Sequence, residues 1–183
     1  MASAMLNRLD DCLALVEGDT ATRGGLIVDV TDWRLDPTRQ ASKQTWDIVP
    51  DGVPKTVVSP LEQARHYAHQ VIDALARDAQ LVHAHGNLQG KVCFPWSYGV
   101  VLTRITRKQF ESAELGRAIE SHRVICADEM TESADAEGFQ SRLWDMFPTM
   151  MRGVLTLPQI DRVRWILFPE VRISPQLGLF GTA

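Results

Sequence analysis

Five polar side chains of this sequence have types and spacings that could support chemistry: Asp11, Asp29, Thr31, Gln63 and Tyr67. Asp29 interrupts the apolar run "LIVDVTDW", and a carboxylate at the end of a core strand is costly to desolvate unless a metal, a donor or water compensates it. Asp11, or its neighbour Asp10, precedes another short apolar segment. Two such acids that converge at a sheet edge could share a divalent cation through oxygen ligands, as Mg²⁺ prefers.

Gln63 and Tyr67 are four residues apart, so they stack on one face of the helix predicted for this segment. His66 and Gln70 fall on the same face. A polar stripe on a helix that otherwise docks on a sheet could complete a site beside the carboxylates.

Each of these residues also has a purely structural interpretation. Asp29 could be a strand-end acid held by backbone donors, and Asp10 and Asp11 could be solvated turn residues. Gln63 and Tyr67 could form the polar border of a core helix.

Two further groups of residues are weaker candidates for a site. His83 and His85 could ligate a metal, but no third ligand is nearby in sequence, which favours loop histidines. The acids of "DEMTE" (residues 128–132) could add carboxylates, although the pattern is more typical of a solvated charge run and a helix start.

The first strands predicted from the sequence are Cys12–Glu17 and Leu26–Trp33, which the short turn-forming segment between them favours as a hairpin. The segments "QTWDIV" and "KTVVS" flank the turn "PDGVP" and predict a further strand pair. Four strands in a row along the chain predict a meander at the start of the sheet.

A helix is predicted over Pro60–Asp78, because Ser59 is a good N-cap, Pro60 suits the first helical position and Glu62 could close a capping box. Its apolar positions recur at spacings of three and four, as expected of a face packed on a sheet. They are Leu61, Ala64, Ala68, Val71, Ile72 and Leu75.

The rest of the chain predicts strands at "YGVVLT" and "HRVICADE", with a short helix over Arg107–Ala118 between them, and amphipathic helices at "AEGFQSRLWDMF" and "LPQIDRVRWILF". Strands alternating with helices predict an α/β fold. The 183 residues suffice for one compact domain, placed at 1–173, followed by a loose tail over 174–183.

Composition narrows the class of protein. A net charge of −4 argues against a surface that grips nucleic acid all over, while leaving room for a local basic face. No apolar run is long enough to cross a membrane, and no secretory signal precedes the first strand. Cys12, Cys93 and Cys126 lack the spacing of a zinc site, so we expect reduced thiols in a cytoplasmic protein.

Seven stretches, covering most of residues 10–173, resemble the nuclease-related (NERD-type) domain of the PD-(D/E)XK superfamily, as found in front of UvrD/Rep-type superfamily 1 DNA helicases. They occur in consistent order as "LDDCLALV", "GGLIVDVTDW", "SPLEQARHYA", "GKVCFPWSYGVVLTRITRKQFE", "SHRVICADEMTE", "RLWDMF" and "LPQIDRVRWILFPEVRI". The resemblance implies a restriction-endonuclease-like, three-layer α/β/α sandwich with a mixed central sheet.

The resemblance also implies roles for the five residues. Asp11 and Asp29 match the metal-binding acids, and Gln63 with Tyr67 matches a Q-x-x-x-Y helix that orients the acids or the DNA backbone. Thr31 stands where the family has a lysine, and a hydroxyl cannot act as the cation that positions water and offsets charge on phosphorus. The family's upstream helix has no counterpart in the residues before Asp11.

The implied function is DNA processing by a Mg²⁺-dependent phosphodiesterase domain, weak or inactive because of Thr31, with DNA and a helicase motor as partners. The chain contains no G-x-x-x-x-G-K-[ST] loop, so it is not itself an ATP-driven motor. One alternative is a catalytically silent DNA-positioning or protein-interaction module. Another is a nuclease that recruits a lysine from elsewhere, with Lys43 and Lys55 as the candidates.

Overall fold

The computed structural model describes residues 13–17, 23–35, 41–49, 52–130, 136–148 and 153–168. Its strands are β1 (Leu13–Glu17), β2 (Arg23–Thr31), β3 (Thr45–Ile48), β4 (Lys55–Val58), β5 (Trp96–Leu102) and β6 (Val124–Cys126). Its α-helices are α1 (Pro60–Leu75), α2 (Arg107–Ser112), α3 (Ala136–Asp145) and α4 (Leu157–Leu167). Short 3₁₀ turns cover Leu115–Arg117, Ser121–Arg123 and Ala127–Glu129.

The main sheet is mixed, with the order β1-β2-β5-β6. β1 is antiparallel to β2, and Leu13 lies opposite Ile27, which confirms the predicted hairpin. β2, β5 and β6 run parallel. Because parallel neighbours need a crossover connection, α1 lies between β2 and β5 in the chain, and α2 lies between β5 and β6. The fold is therefore mixed α/β, as predicted.

The predicted meander at the start of this sheet is wrong. β3 and β4 do pair antiparallel, with Thr45 opposite Val58, but they form a separate two-stranded sheet. In β3, only Trp46 and Ile48 are buried, which suits a hairpin with one covered face. The second neighbour of β2 is β5, whose apolar sequence suits a central position buried on both sides.

α1 confirms the predicted apolar stripe, since Ala64, Ala68, Val71 and Leu75 are buried. The predicted capping box is wrong, because the Ser59 side chain makes no capping hydrogen bond. Glu62 instead pairs with Arg65 within the helix, at 2.6 Å. The helix ends at Leu75, three residues before the predicted end.

The two faces of the main sheet pack against different elements. On one face, Val100, Leu102 and Val124 share a core cluster with Phe110 of α2, and Leu61 of α1 packs against it. On the other face, Leu26 and Ile125 share a cluster with Met146 and Phe147, and α3 contributes Phe139 and Leu143.

The helix predicted over Arg107–Ala118 is interrupted. α2 ends at Ser112, and Glu114 has a φ of 52°, in the left-handed region, which stops the α-helix before the turn at Leu115–Arg117. The predicted helix near "LPQIDRVRWILF" is confirmed as α4, which begins with a capping box between Thr156 and Gln159.

Cys93 and Cys126 are free thiols, as predicted, whereas Cys12 and residues 174–183 lie outside the described residues. In the described part of the chain, every helix is too short or too polar to cross a bilayer.

Candidate functional site

Asp29 and Thr31 lie on one face of β2, opposite Val100 and Leu102 of β5. This is the face towards which Leu61 of α1 packs. Thr31 is only 6% exposed, and its Oγ1 atom is buried without a hydrogen-bond partner among the described residues. Oδ2 of Asp29 is also buried. The two matched residues therefore lie close together and are largely shielded from solvent.

Gln63 and Tyr67 are half-buried on α1, which packs on both β2 and β5. Gln63 Nε2 donates a hydrogen bond to the carbonyl oxygen of Val58 at 3.2 Å, so it ties the helix to the end of β4. On the opposite side of α1, the ring of His69 contacts Trp96 of β5 at 5.4 Å between centroids. Because each residue turns the helix by about 100°, Gln63 and Tyr67 lie on the flank away from Trp96. Their reach to Asp29 remains a prediction.

Asp10 and Asp11 lie outside the described residues. The first described residue of β1, Leu13, is opposite Ile27, so the chain enters β1 at the end of β2 that carries Asp29. Among the residues that the structure describes, no group of three His, Cys, Asp or Glu side chains could hold a metal ion.

The histidines of "HAH" are loop residues. The backbone N–H of His83 donates to the carbonyl oxygen of Lys91 at 2.9 Å, and His85 is exposed. The two side chains belong to no metal-binding group in the described ranges.

The carboxyl ends of β2 and β5 are joined by polar contacts just beyond Thr31. Thr103 Oγ1 donates to the carbonyl oxygen of Thr31 at 3.0 Å. Arg104 donates to Asp32 Oδ2 from Nε at 3.0 Å and from Nη2 at 2.6 Å. Ligands in open α/β sheets commonly bind outside the carboxyl ends of the strands. These contacts therefore form the floor of a candidate binding surface.

Two clefts open beside these contacts. One has a volume of about 660 Å³ and is lined by Trp33, Arg34 and Arg104, among others. The other, of about 460 Å³, extends from Trp33 and Arg34 towards Trp46 and Gln109. Both volumes fall in the range of about 300–1,000 Å³ typical of small-molecule sites.

Glu129 is a buried acid that the sequence interpretation missed, and the prediction of a solvated run at "DEMTE" is wrong for it. Its side chain is 9% exposed and accepts hydrogen bonds from Arg107 at 2.7 and 2.9 Å and from the Cys126 backbone N–H at 2.9 Å. Arg142 forms a further ion pair with it. Asp128 accepts from the backbone N–H of Arg107, at the start of α2.

Electrostatics explain why Glu129 remains charged. Burial alone raises its pKa, but the hydrogen bonds from Arg107 and Arg142, with the backbone N–H of Cys126, outweigh burial and lower the pKa to about 2. The same Arg107 guanidinium lies 5.1 Å from the ring centroid of Phe110. This network holds the end of β6 against α2 and has no separate reactive group, so we assign it a structural role.

Sequence reasoning also missed the clefts, although a partial signal was present. Trp33 and Arg34 come shortly after Thr31, the last residue of the strand that carries Asp29, so they had to lie near its end. Arg104 is 72 residues from Asp32, and nothing in the sequence indicates that they pair.

Comparisons of this chain with protein-family models, with curated proteins and with solved structures found no match.

Proposed function

We propose that this chain is a nuclease-related, restriction-endonuclease-like module that acts on DNA and whose phosphodiesterase site is degenerate at Thr31. The proposed finer fold is a three-layer α/β/α sandwich around the mixed sheet. Packing of α1 and α2 on one face of the sheet, and of α3 on the other, supports it.

The observation that carries the proposal is the position of Asp29 and Thr31 on the same face of β2, beside the carboxyl edge of three parallel strands. An acid two residues from the position matched to a lysine is the arrangement that the resemblance requires. Thr31 is buried and uncharged, so it cannot offset charge on a transferring phosphate. A binding role with little catalysis follows.

Recruitment of another lysine finds no support in the described residues. All four lysines are exposed, and Lys43 and Lys55 lie in the separate β3–β4 region rather than on β2. An ammonium group that acts at the Asp29 carboxylate would have to come from a side chain close to that face. We therefore favour loss of the cation over its migration.

The cofactor proposed for an intact site is Mg²⁺, held by Asp29 and Asp11. Asp29 fits this role as a hard oxygen donor on the strand face, while the described residues contribute no further carboxylate to a three-ligand group. When bound, such an ion would lower the pKa of water and neutralise phosphate charge. In this chain, Asp29 would orient the ion, and Thr31 would add no positive charge to that of the ion.

A second candidate function is a protein-interaction module, for example one that contacts a helicase motor. The favouring observation is the outer surface of α4, where Leu157 is 65% exposed and Trp165 is 61% exposed. The two residues are eight positions apart and so share one helix face. Exposed apolar residues that share a face are a feature of interaction surfaces.

Replacing Thr31 tests the catalytic part of the proposal. We expect the wild-type chain to cleave labelled DNA weakly or not at all with Mg²⁺, because loss of a positioned charge costs about 10²–10³ in rate. Thr31→Lys should increase the cleavage rate by up to that factor. Thr31→Met is the matched control, since methionine is long but uncharged, and Asp29→Asn in the Thr31→Lys background should abolish the gain.

Two outcomes contradict this account. Efficient cleavage by the wild type that depends on Asp29 would show that the site is not degenerate. If Thr31→Lys folds but gives no more cleavage than Thr31→Met, then Thr31 is not the position of the missing cation.

A further inference from the structure

We propose that the cleft beyond the carboxyl ends of β2 and β5 binds single-stranded DNA, with Trp33 stacking on an unpaired base and Arg34 and Arg104 contacting phosphates. This inference rests on the proposed function, because it names the form of DNA that the module takes. The geometry of the cleft supports this inference, and the Asp29–Thr31 pair does not enter it.

The ring of Trp33 is held in position by packing, so a base could stack on it. Trp33 is half-buried, and its ring lies against the ring of Trp46 at a centroid distance of 6.1 Å and an interplanar angle of 52°. Trp46 is 3% exposed and belongs to the core cluster of Val100 and Leu102, so it supports Trp33 from below. The supported ring lines both clefts.

The cations beside Trp33 are available for an anion. Arg34 is exposed and lines both clefts, and no described acid forms an ion pair with it. Arg104 pairs with Asp32, but the side chains are 44% and 65% exposed. Arg104 donates to Asp32 from Nε and Nη2, so its Nη1 can contact a phosphate without breaking this exposed pair.

The described acids along the clefts have partners of their own. Asp47 accepts a hydrogen bond from Thr56 at 2.7 Å, and Glu114 pairs with Arg117 at 3.1 Å. Asp32 is neutralised by Arg104. Among the described residues that line the clefts, Arg34 is therefore the arginine without an acidic partner, while Asp47 keeps its negative charge because the Thr56 hydroxyl is neutral.

The combination favours a single strand over a duplex. Stacking on an aromatic ring requires a base that is not already stacked in a duplex, and it tolerates any base because every base has a π-face. The larger of the two clefts is about 660 Å³, and on its rim an added Cβ at Gly52 would meet no described atom within 4 Å. A single strand would enter the cleft from this side.

The test is fluorescence anisotropy with labelled oligo(dT), a duplex of equal length and oligo(rU), at several salt concentrations. Trp33→Ala should weaken oligo(dT) binding by about 5- to 150-fold, the effect of one stacked base. Trp33→Phe keeps a ring against Trp46 and should lose less. Leu88→Ala, at an exposed apolar residue in the loop before β5, is the control and should change nothing.

The arginines are tested in the same assay. Arg34→Ala should reduce the slope of log affinity against log salt by about 0.7, as for one phosphate contact on a single strand. Arg77→Ala, an exposed arginine after α1, is the matched control.

The outcomes separate the two proposals. If the wild type binds no DNA of either form, the proposed DNA function fails. If it binds DNA but folded Trp33→Ala and Trp33→Phe bind as well as wild type, the cleft assignment is overturned while the DNA function stands. Tighter binding of the duplex or of oligo(rU) would overturn the choice of single-stranded DNA.

Discussion

At the scale of single residues, Glu129 shows how burial and pairing together set a charge state. Its carboxylate would be costly to bury alone, yet Arg107 and Arg142 surround it and Arg107 also donates to the carbonyl oxygen of Val124 at 2.7 Å. Removing one partner of such a buried pair leaves an uncompensated charge. Glu129 is therefore a residue on which stability should depend strongly.

Glu129→Gln should lower the free energy of unfolding by up to about 3 kcal/mol at neutral pH. The folded pKa of about 2 lies below the ordinary value of 4.5, so this stabilisation is complete above pH 4.5 and is lost as the pH falls towards 2. Urea unfolding from pH 7 to pH 2.5 measures both effects, and the mutant should show a shallower decline on acidification.

Glu114→Gln is the matched control, because Glu114 and Arg117 are 63% and 80% exposed. It should cost at most about 1 kcal/mol at neutral pH. Equal losses for Glu114→Gln and Glu129→Gln would contradict the role assigned to burial.

At the scale of elements, three helix N-termini have similar sequences, but a capping box forms at two of them and not at the third. Thr106 and Thr156 each form a capping box, with Gln109 and Gln159 respectively. Ser59 precedes α1 in an equally suitable sequence, but its side chain is 0% exposed and makes no capping bond. Its backbone N–H instead donates to the carbonyl oxygen of Gln44 at 2.8 Å. Docking of α1 near β3 has therefore replaced the local cap.

Ser59→Ala should leave the free energy of unfolding unchanged or raise it slightly, because the buried Oγ has no hydrogen-bond partner among the described residues to lose. Thr106→Ala should lower it by about 1 kcal/mol, since the Thr106 hydroxyl caps α2 by accepting a hydrogen bond from the Gln109 backbone N–H at 3.3 Å. Thermal and urea unfolding of both variants measure the difference. A loss above 1 kcal/mol for Ser59→Ala would show that its hydroxyl is satisfied, for instance by a buried water.

At the scale of the whole molecule, docking of the chain that follows α3 depends on two glycines in the central strands. A Cβ on Gly99 would meet Met146 Sδ and, at 2.9 Å, the carbonyl oxygen of Arg123. A Cβ on Gly24 would lie 2.6 Å from Phe147 Cε1. Ser97 Oγ donates to the carbonyl oxygen of Met146 at 2.5 Å. The absence of side chains at Gly24 and Gly99 lets this segment approach the sheet closely.

Gly99→Ala should therefore destabilise the protein by about 1–3 kcal/mol, because overpacking forces the backbone of neighbouring segments to shift. Gly116→Ala is the matched control, since its Cβ would meet no atom of the described residues within 4 Å and its φ is not in the left-handed region. That variant should be neutral or slightly stabilised. Denaturant unfolding of both checks this, and an unaffected Gly99→Ala would contradict the close packing.

The local elements were largely predictable. The β1–β2 hairpin, the β3–β4 pair and the buried stripe of α1 follow from periodicity and turn residues, which act over a few positions in the chain. The neighbour of β2 was not predictable, because β3 and β5 both have apolar faces. Which of them pairs with β2 depends on the other elements that bury those faces. Burial of Glu129 was also not predictable, because it depends on Arg107 and Arg142, which are distant from Glu129 in sequence.

For the candidate site, it follows from sequence spacing alone that Asp29 and Thr31 share one strand face, because side chains of a strand alternate with a period of two. It also follows that Gln63 and Tyr67 share one side of a helix. The packed fold was needed to show that Thr31 is buried, that Arg104 reaches Asp32, and that the Trp33 ring lies against Trp46 at the two clefts. The physical reason is that spacing along the chain sets direction within one element, whereas burial and contact depend on which other elements pack against it.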